Sequence, residues 1–429
     1  MHALLDLIAR HKQGQAIGVA SICSAHPIVI EATLRHALAH ASPLVLFEAT
    51  CNQVNQEGGY TGMTPADFVA FVHGIAGRVG FDTARIALGG DHLGPNPWTA
   101  LEADAAMEKA EVMVAAYVAA GFRKIHLDCS MACAGDPTPL PESEIVRRAV
   151  RLCRAAETAY ASAGGEPPVY VIGTEVPVPG GATEAIEGLE TTTPDAARAT
   201  IEAHRDAFHA AGLAAAWERV IASVVQPGVE FDHHEVVDYV PAKARALSEA
   251  IVPVPGMVYE AHSTDYQTRE ALQALVRDHF ALLKVGPGLT FALREALWAL
   301  DAIERDWIAP AQRANLRDVA LERLRDQPQH WRRYYHGDGH ALDIDLQYSL
   351  SDRIRYYWPD PVIEDARARL FANLRENPPP LPLVSQYLPH ALHALRHDRA
   401  TSDPQSLAMA HVSAVLDDYH HACHPHEDP

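Results

Sequence analysis

Eight short apolar runs recur along the chain, separated by longer segments with helical periodicity. They fall at 17–22, 44–47, 86–88, 124–127, 169–172, 220–225, 257–259 and 282–285, and most are rich in valine and isoleucine. Each is bounded by glycine, proline or a small polar residue, as strands buried on both faces should be. The intervening segments predict helices at 105–120, ended by Gly121, at 142–163, and at 194–211, opened by Thr-Thr-Thr-Pro-Asp. There Pro and Asp favour a first turn. Eight strand–helix units are the count of a closed parallel (β/α)₈, or TIM, barrel, expected over 1–305. A doubly wound sheet would carry a glycine-rich phosphate loop after the first strand; that position reads SICSAHP, without GxGxxG. From residue 306 the alternation gives way to helical patterns alone. They predict an all-helical C-terminal extension over 306–415 and a disordered tail over 416–429, ending HHACHPHEDP.

Charge and cysteine usage narrow the function classes. The formal net charge of −20 repels nucleic acid and anionic membrane surfaces as a whole, while a small phosphorylated ligand can still be held by local amides and cations. No apolar run approaches the roughly 20 residues that span a bilayer. The opening MHALLDLIARHKQGQ reads as an amphipathic helix and lacks the apolar core of a signal peptide. Six scattered cysteines form no CxxC pair and no disulfide framework, so a reduced cytoplasm is the expected compartment.

In such a barrel the chemistry sits at the C-terminal ends of the strands, which turns chain position into a site map. The polar residues just past the strands include Ser21, Ser24 and His26; Glu48, Asn52 and Gln53; Asp91 and His92; Asp128 and Ser130; Glu175; Gln226, Asp232 and His233; His262, Ser263 and Asp265; and the Gly286-Pro287-Gly288 turn. Imidazole with carboxylate is the ligand mix of Zn²⁺, Mn²⁺, Co²⁺ or Ni²⁺. His92, His233 and His262 are the expected ligands of a divalent metal. Asp91 and Glu175 are the expected acid–base pair, since chemistry beside a ketone moves protons at carbon and oxygen. Three alternatives stay open. His233 lies about seven residues past its strand and fits a helix start capped by Asp232. Gln226 or Glu175 then becomes the third ligand. Lys284 is a Schiff-base candidate, although its place inside a strand fits an electrostatic role better. Gly286 and Gly288 present amides at a helix start, an anion seat, with Ser263, Thr264 and Asp265 beside it. Asn52, Asp128, Ser130, Gln226, Ser263 and Asp265 are expected to contact substrate. Arg353 and Arg355, in SLSDRIRYYW of the extension, either reach across the rim to substrate or belong to a packed amphipathic helix.

The strings CSAHPIVIEA, ATCNQVNQEGGYTGMTPADF, LGGDHLGPN, KIHLDCSMACAGDPTPL, GTEVPVPGGA, VVQPGVEFDH, VYEAHSTDYQT, LKVGPGLTFALREA and YSLSDRIRYYW resemble the D-tagatose-1,6-bisphosphate aldolase Z-subunit family over nearly the whole chain. That family is related to the class II ketose-bisphosphate aldolases, which are zinc-dependent barrels. The resemblance implies a ketohexose or ketohexose bisphosphate as ligand and an aldolase catalytic subunit as a protein partner; association with a second copy of the chain stays open. It implies one of three activities: metal-dependent C4 epimerisation between tagatose and fructose forms, support of a separate aldolase subunit without catalysis, or stand-alone class II aldol cleavage. A full rim of ligands and carboxylates favours the first. By similarity GGDH puts Asp91 in the acid–base role and His92 on the metal. AHST puts His262 on the metal and Ser263 near phosphate, and LKVGPG is similar to a phosphate-binding strand and turn. The sixth strand departs from the aldolase pattern, with Gln226-Pro227-Gly228 where a histidine precedes glycine.

Overall fold

The valine-rich runs become strands because each finds a place to bury both faces. The computed structural model describes residues 2–173, 182, 186 and 188–425. Its main sheet is a closed barrel of eight parallel strands in chain order: β1 (Val19–Ile22), β2 (Val45–Thr50), β3 (Ile86–Leu93), β4 (Lys124–Leu127), β5 (Val169–Ile172), β6 (Val220–Val225), β7 (Val258–Ala261) and β8 (Leu282–Val285). Closure pairs β8 with β1, Leu282 opposite Val19. Side chains alternate as strand geometry requires: Val169 and Val171 fill the barrel, while Tyr170 and Ile172 pack outward against helices.

The barrel interior has a floor and a ceiling of opposite character. The N-terminal helix (His2–Lys12) closes the floor, placing Leu4 and Ile8 among Val19, Leu46, Val171, Ile221, Val258 and Leu282. Toward the C-terminal mouth the interior carries Glu48, Lys124, Glu260 and Lys284, all buried.

The third strand runs further than its apolar stretch predicts, through Gly-Gly-Asp-His to Leu93. Glycines read as a turn signal in isolation, yet here β2 and β4 supply ladders on both sides, with Glu48 opposite Gly89 and Thr50 opposite Asp91. A Cβ on Gly89 would sit 2.8 Å from the Glu48 Cγ, so glycine makes the room that the buried glutamate occupies. The β3–β4 register shifts between Gly90 and Leu93. Such a bulge re-aims side chains, and both Asp91 and His92 border the mouth cavity.

The predicted helix ends are where their signals place them. Gly121 closes Ala103–Ala120 at φ +106°, and Thr193 caps Pro194–Ala210 by accepting from the Ala196 amide. After the eighth barrel helix (Pro287–Trp307) the extension is helical and folds back over the barrel. Its last helix spans Pro404–Cys423, so the disordered tail expected from 416 is corrected through residue 425. Leu416, Tyr419, Ala422 and Cys423 are buried, and apolar burial of this kind outweighs the polar, histidine-rich composition that suggested fraying. All six cysteines are free thiols. Among the described residues no helix is long and apolar enough to cross a membrane.

Candidate active site

Strand period decides what faces the mouth. Lys124 and His126 share one face of β4; Glu260 is on β7 and His262 follows two residues later on the same side. The three imidazoles of His92, His126 and His262 converge, with ring centroids 4.9 to 5.3 Å apart. Asp91, His126, Glu260 and His262 each offer a ligand atom within 4.8 Å of the others, and all four are buried.

Carboxylates orient two of these rings. The His92 Nδ1 donates to the Asp128 Oδ2 at 2.7 Å. Asp128 is itself held by the amide and hydroxyl of Ser130, at 3.0 and 2.6 Å. The His126 Nδ1 donates to the Asp91 Oδ1 at 2.9 Å. A proton on Nδ1 leaves the lone pair on Nε2, the arrangement that prepares histidine for a metal. Burial lowers the pKa of His92 but Asp91 and Asp128 raise it overall, so a metal would displace a proton there. The His126 Nδ1 also lies 3.2 Å from the His92 amide. The His126 Nε2 is buried without a hydrogen-bond partner, an orphan that a cation would satisfy. His92 and Ser263 adopt left-handed φ of +49° and +54°. Non-glycine residues pay for that conformation, and such strain collects at functional sites.

Beneath the imidazoles lies a charge lattice. The Lys124 Nζ is 2.6 Å from both the Glu48 Oε1 and the Glu260 Oε2. The Lys284 Nζ pairs with Glu48, lies 2.8 Å from the Asp91 Oδ1 and 3.8 Å from the Glu260 Oε1. Three carboxylates against two ammonium groups leave one negative charge, and Asp128 adds another, so the mouth suits a cation. Burial favours a neutral carboxyl on Asp91 and Glu260. Against that, His92, Lys284 and His126 hold Asp91, and Lys124 and Lys284 hold Glu260, well below the usual carboxylate range. Burial would likewise lower Lys284, but Asp91, Glu48 and Glu260 raise it well above an ordinary lysine. A lysine held toward its protonated form is a poor Schiff-base nucleophile, which fits Lys284 to an electrostatic role. Burial lowers His262 to about 4, its bond to Glu260 notwithstanding, which keeps this ring neutral and able to ligate.

Several expected site residues go elsewhere. His233 is not a mouth residue: the ribbon formed by Glu230–Phe231 and Val236–Val237 carries it onto the extension. There its Nδ1 meets the Ser349 hydroxyl at 3.1 Å and its Nε2 the Tyr334 carbonyl at 2.8 Å. With both nitrogens engaged it is no metal ligand. Gln226 staples its own turn, the Oε1 accepting from the Gly228 and Val229 amides at 2.8 and 3.0 Å. Arg353 binds the His330 carbonyl and stacks on Tyr334, so it is structural. Asp128 and Ser130 act on His92 instead of lining the cavity. Glu175 lies outside the described residues. Asn52, Ser263, Asp265, Gly286 and Arg355 do line the mouth, together with Cys23, Tyr60 and Tyr356.

The glycine turn after β8 is an occupied anion seat. The Asp265 Oδ1 accepts from the Gly286 amide at 2.9 Å and the Gly288 amide at 2.7 Å. The chain's own carboxylate thus takes the donors that a phosphate would use. Burial raises Asp265 to about 6, the two amides working against that rise, so it is still anionic at neutral pH.

Lys124, His126 and Glu260 were missed by position, because they lie within strands and not past them. A signal was available: K-x-H and E-x-H in runs otherwise apolar put two polar groups on one strand face.

Solved structures extend this picture. A probable tagatose 6 phosphate kinase from Sinorhizobium meliloti 1021 is 50% identical, covering 95% of this chain and 100% of that one, with a TM-score of 0.87. The fructuronate-tagaturonate epimerase UxaE from Cohnella laeviribosi is 12% identical over 94% of this chain and 81% of its own, with a TM-score of 0.52, and shares the fold. Residues 4–424 match the family described as D-tagatose-1,6-bisphosphate aldolase subunit GatZ/KbaZ-like, and the chain belongs to that family.

Proposed function

We propose that the protein is a divalent-metal-dependent C4 epimerase interconverting the tagatose and fructose forms of a ketohexose. The observation that carries this reading is the convergence of three buried imidazoles, two of them turned by carboxylates to present Nε2. His92, His126 and His262 would hold the ion, His126 taking the place expected of His233; three protein ligands are the pattern of catalytic zinc-type sites. When bound, a divalent cation supplies positive charge that polarises the C2 carbonyl and acidifies the neighbouring hydroxyls.

The balanced route is retro-aldol. A base takes the proton from the C4 hydroxyl, the C3–C4 bond breaks, and its electron pair is delocalised from C3 into the C2 carbonyl. The C4 aldehyde turns its other face, C3 re-adds, and the C4 oxygen recovers its proton. Asp91 is the base in this reading, because it is an anion at rest and borders the cavity; its low proton affinity demands an acidified hydroxyl. Glu175 is the expected second acid–base group. Lys284 and Lys124 keep the carboxylates beneath the substrate charged and fixed.

Occupation of the glycine turn by Asp265 favours an unphosphorylated sugar at that end. A phosphate there would meet a buried carboxylate in place of two amide donors. The test is product analysis by NMR with D-fructose, fructose 6-phosphate and fructose 1,6-bisphosphate, each with Zn²⁺, Mn²⁺, Co²⁺ or Ni²⁺. Tagatose from the free sugar, with deuterium at C4 retained, is expected. No epimer with any metal, or full turnover by His92→Ala, would sink the proposal. Epimer from the bisphosphate alone would overturn the reading of Asp265. Activity without any aldolase subunit separates this reading from a purely supporting role.

A further inference from the structure

A second histidine cluster lies on the outer wall of the barrel, away from the mouth. Helix Pro27–Ala39, with His40 at its C-cap, carries His36 and His40 one turn apart. The C-terminal helix (Pro404–Cys423) packs alongside and brings Asp417 and His420 against them. The rings of His36 and His40 stack at 4.2 Å, and His420 lies 4.3 Å from His40 and 5.7 Å from His36. One ligand atom each from His36, His40 and Asp417 lies within 4.8 Å of the others. The His36 Nε2 meets the Asp417 Oδ1 at 2.9 Å.

We propose that His36, His40, Asp417 and His420 form a second divalent transition-metal site that clasps the C-terminal helix to the barrel. Three imidazoles and one carboxylate from two helices are the donor types of Zn²⁺, Ni²⁺ or Cu²⁺. The His40 Nδ1 donates to the His36 carbonyl at 3.0 Å, leaving the lone pair on Nε2 for a ligand. His40 is exposed and Asp417 half-buried, so an ion enters from solvent.

The clasp has something to hold. The Tyr419 hydroxyl on the same helix donates to the Thr264 carbonyl at 2.8 Å, beside Ser263 at the mouth. Arg269 also reaches Asp418 at 2.8 Å.

Metal content of the full chain after Zn²⁺ loading and desalting, together with Ni²⁺ titration calorimetry, tests the proposal. The expected result is about two ions per chain. The doubly substituted His40→Ala/His420→Ala chain should keep one ion and its basal activity, and Asp417→Asn should weaken the second site at least about tenfold. Zn²⁺ should raise the melting temperature of the His92→Ala/His262→Ala chain, which retains only the outer site. A chain lacking residues 426–429 should keep both ions. Two ions retained by the His40→Ala/His420→Ala chain, or loss of the second ion with the tail, would overturn the site. Should the double variant misfold, His40→Ala alone, at an exposed position, gives the same answer.

Discussion

The mouth and the outer wall each gather three imidazoles at similar spacing, yet their surroundings differ in kind. At the mouth the ring nitrogens are anchored by the carboxylates of Asp128 and Asp91, the groups are buried, and a lattice of two lysines and three acids lies underneath. On the wall the Asp417 carboxylate meets His36, His40 is anchored by a backbone carbonyl, and His40 is exposed to solvent. Histidine proximity alone therefore supports binding. Exclusion of water, which the wall lacks, and the residual negative charge of the lattice are what would make a cluster fit for polarising a carbonyl, because electrostatic effects grow as the local dielectric falls.

The largest expected effect breaks the mouth alone. His92→Ala should lower the proposed epimerase turnover by about 100- to 1000-fold, the range lost when a key electrostatic group at the transition state is removed. The chain should stay folded by circular dichroism, whereas His40→Ala should leave turnover within about twofold of the parent. Equal losses in the two would erase the distinction.

The lattice under the imidazoles has no counterpart on the wall. Lys124→Met should cost roughly 3–5 kcal/mol in urea unfolding, since it leaves Lys284 as the one ammonium group among the buried carboxylates of Glu48, Asp91 and Glu260. An unchanged unfolding midpoint would show that the lattice does not hold the mouth together.

Acid separates the clusters in the metal-free chain. The folded-state pKa of His262, about 4, lies below its unfolded value near 6.5. The stability it contributes is therefore complete above pH 6.5 and lost as pH falls through 4, a swing of about 3 kcal/mol at most. Unfolding measured from pH 7 to 4 should show a shallower slope in His262→Gln. The half-exposed wall cluster contributes less, because water screens it. The smallest effect expected at the mouth comes from Asp128→Asn. It keeps the shape but loses the anion behind His92, and should weaken metal affinity by about 10- to 100-fold, read by competition with a chelating dye.

Much of the barrel was legible because parallel strands buried on both faces need continuous apolar runs. Four of the eight predicted strands, those at 124–127, 169–172, 220–225 and 282–285, coincide with the observed ones. Asp91, His92 and His262 were legible as well, since the ends of barrel strands point to the mouth. His126 was hidden by the same rule, being within a strand. His233 misled because a chain of this length can return a loop to either the rim or the extension, and only its bonds to Ser349 and Tyr334 show which. Composition likewise misjudged the tail, whose apolar face at Leu416, Tyr419 and Cys423 is spaced for a helix packed on the barrel.

By itself the sequence determined the eightfold alternation, the cation-friendly chemistry at the strand ends and the membership of an aldolase-related family, all of which rest on local pattern. The tertiary structure alone decided that Asp265 fills the glycine turn, that Asp128 serves His92, that Lys284 stays protonated between carboxylates, and that histidines nearly four hundred residues apart meet on the outer wall. Those are relations between residues distant in the chain, and their energies depend on separation and burial, which no local pattern encodes.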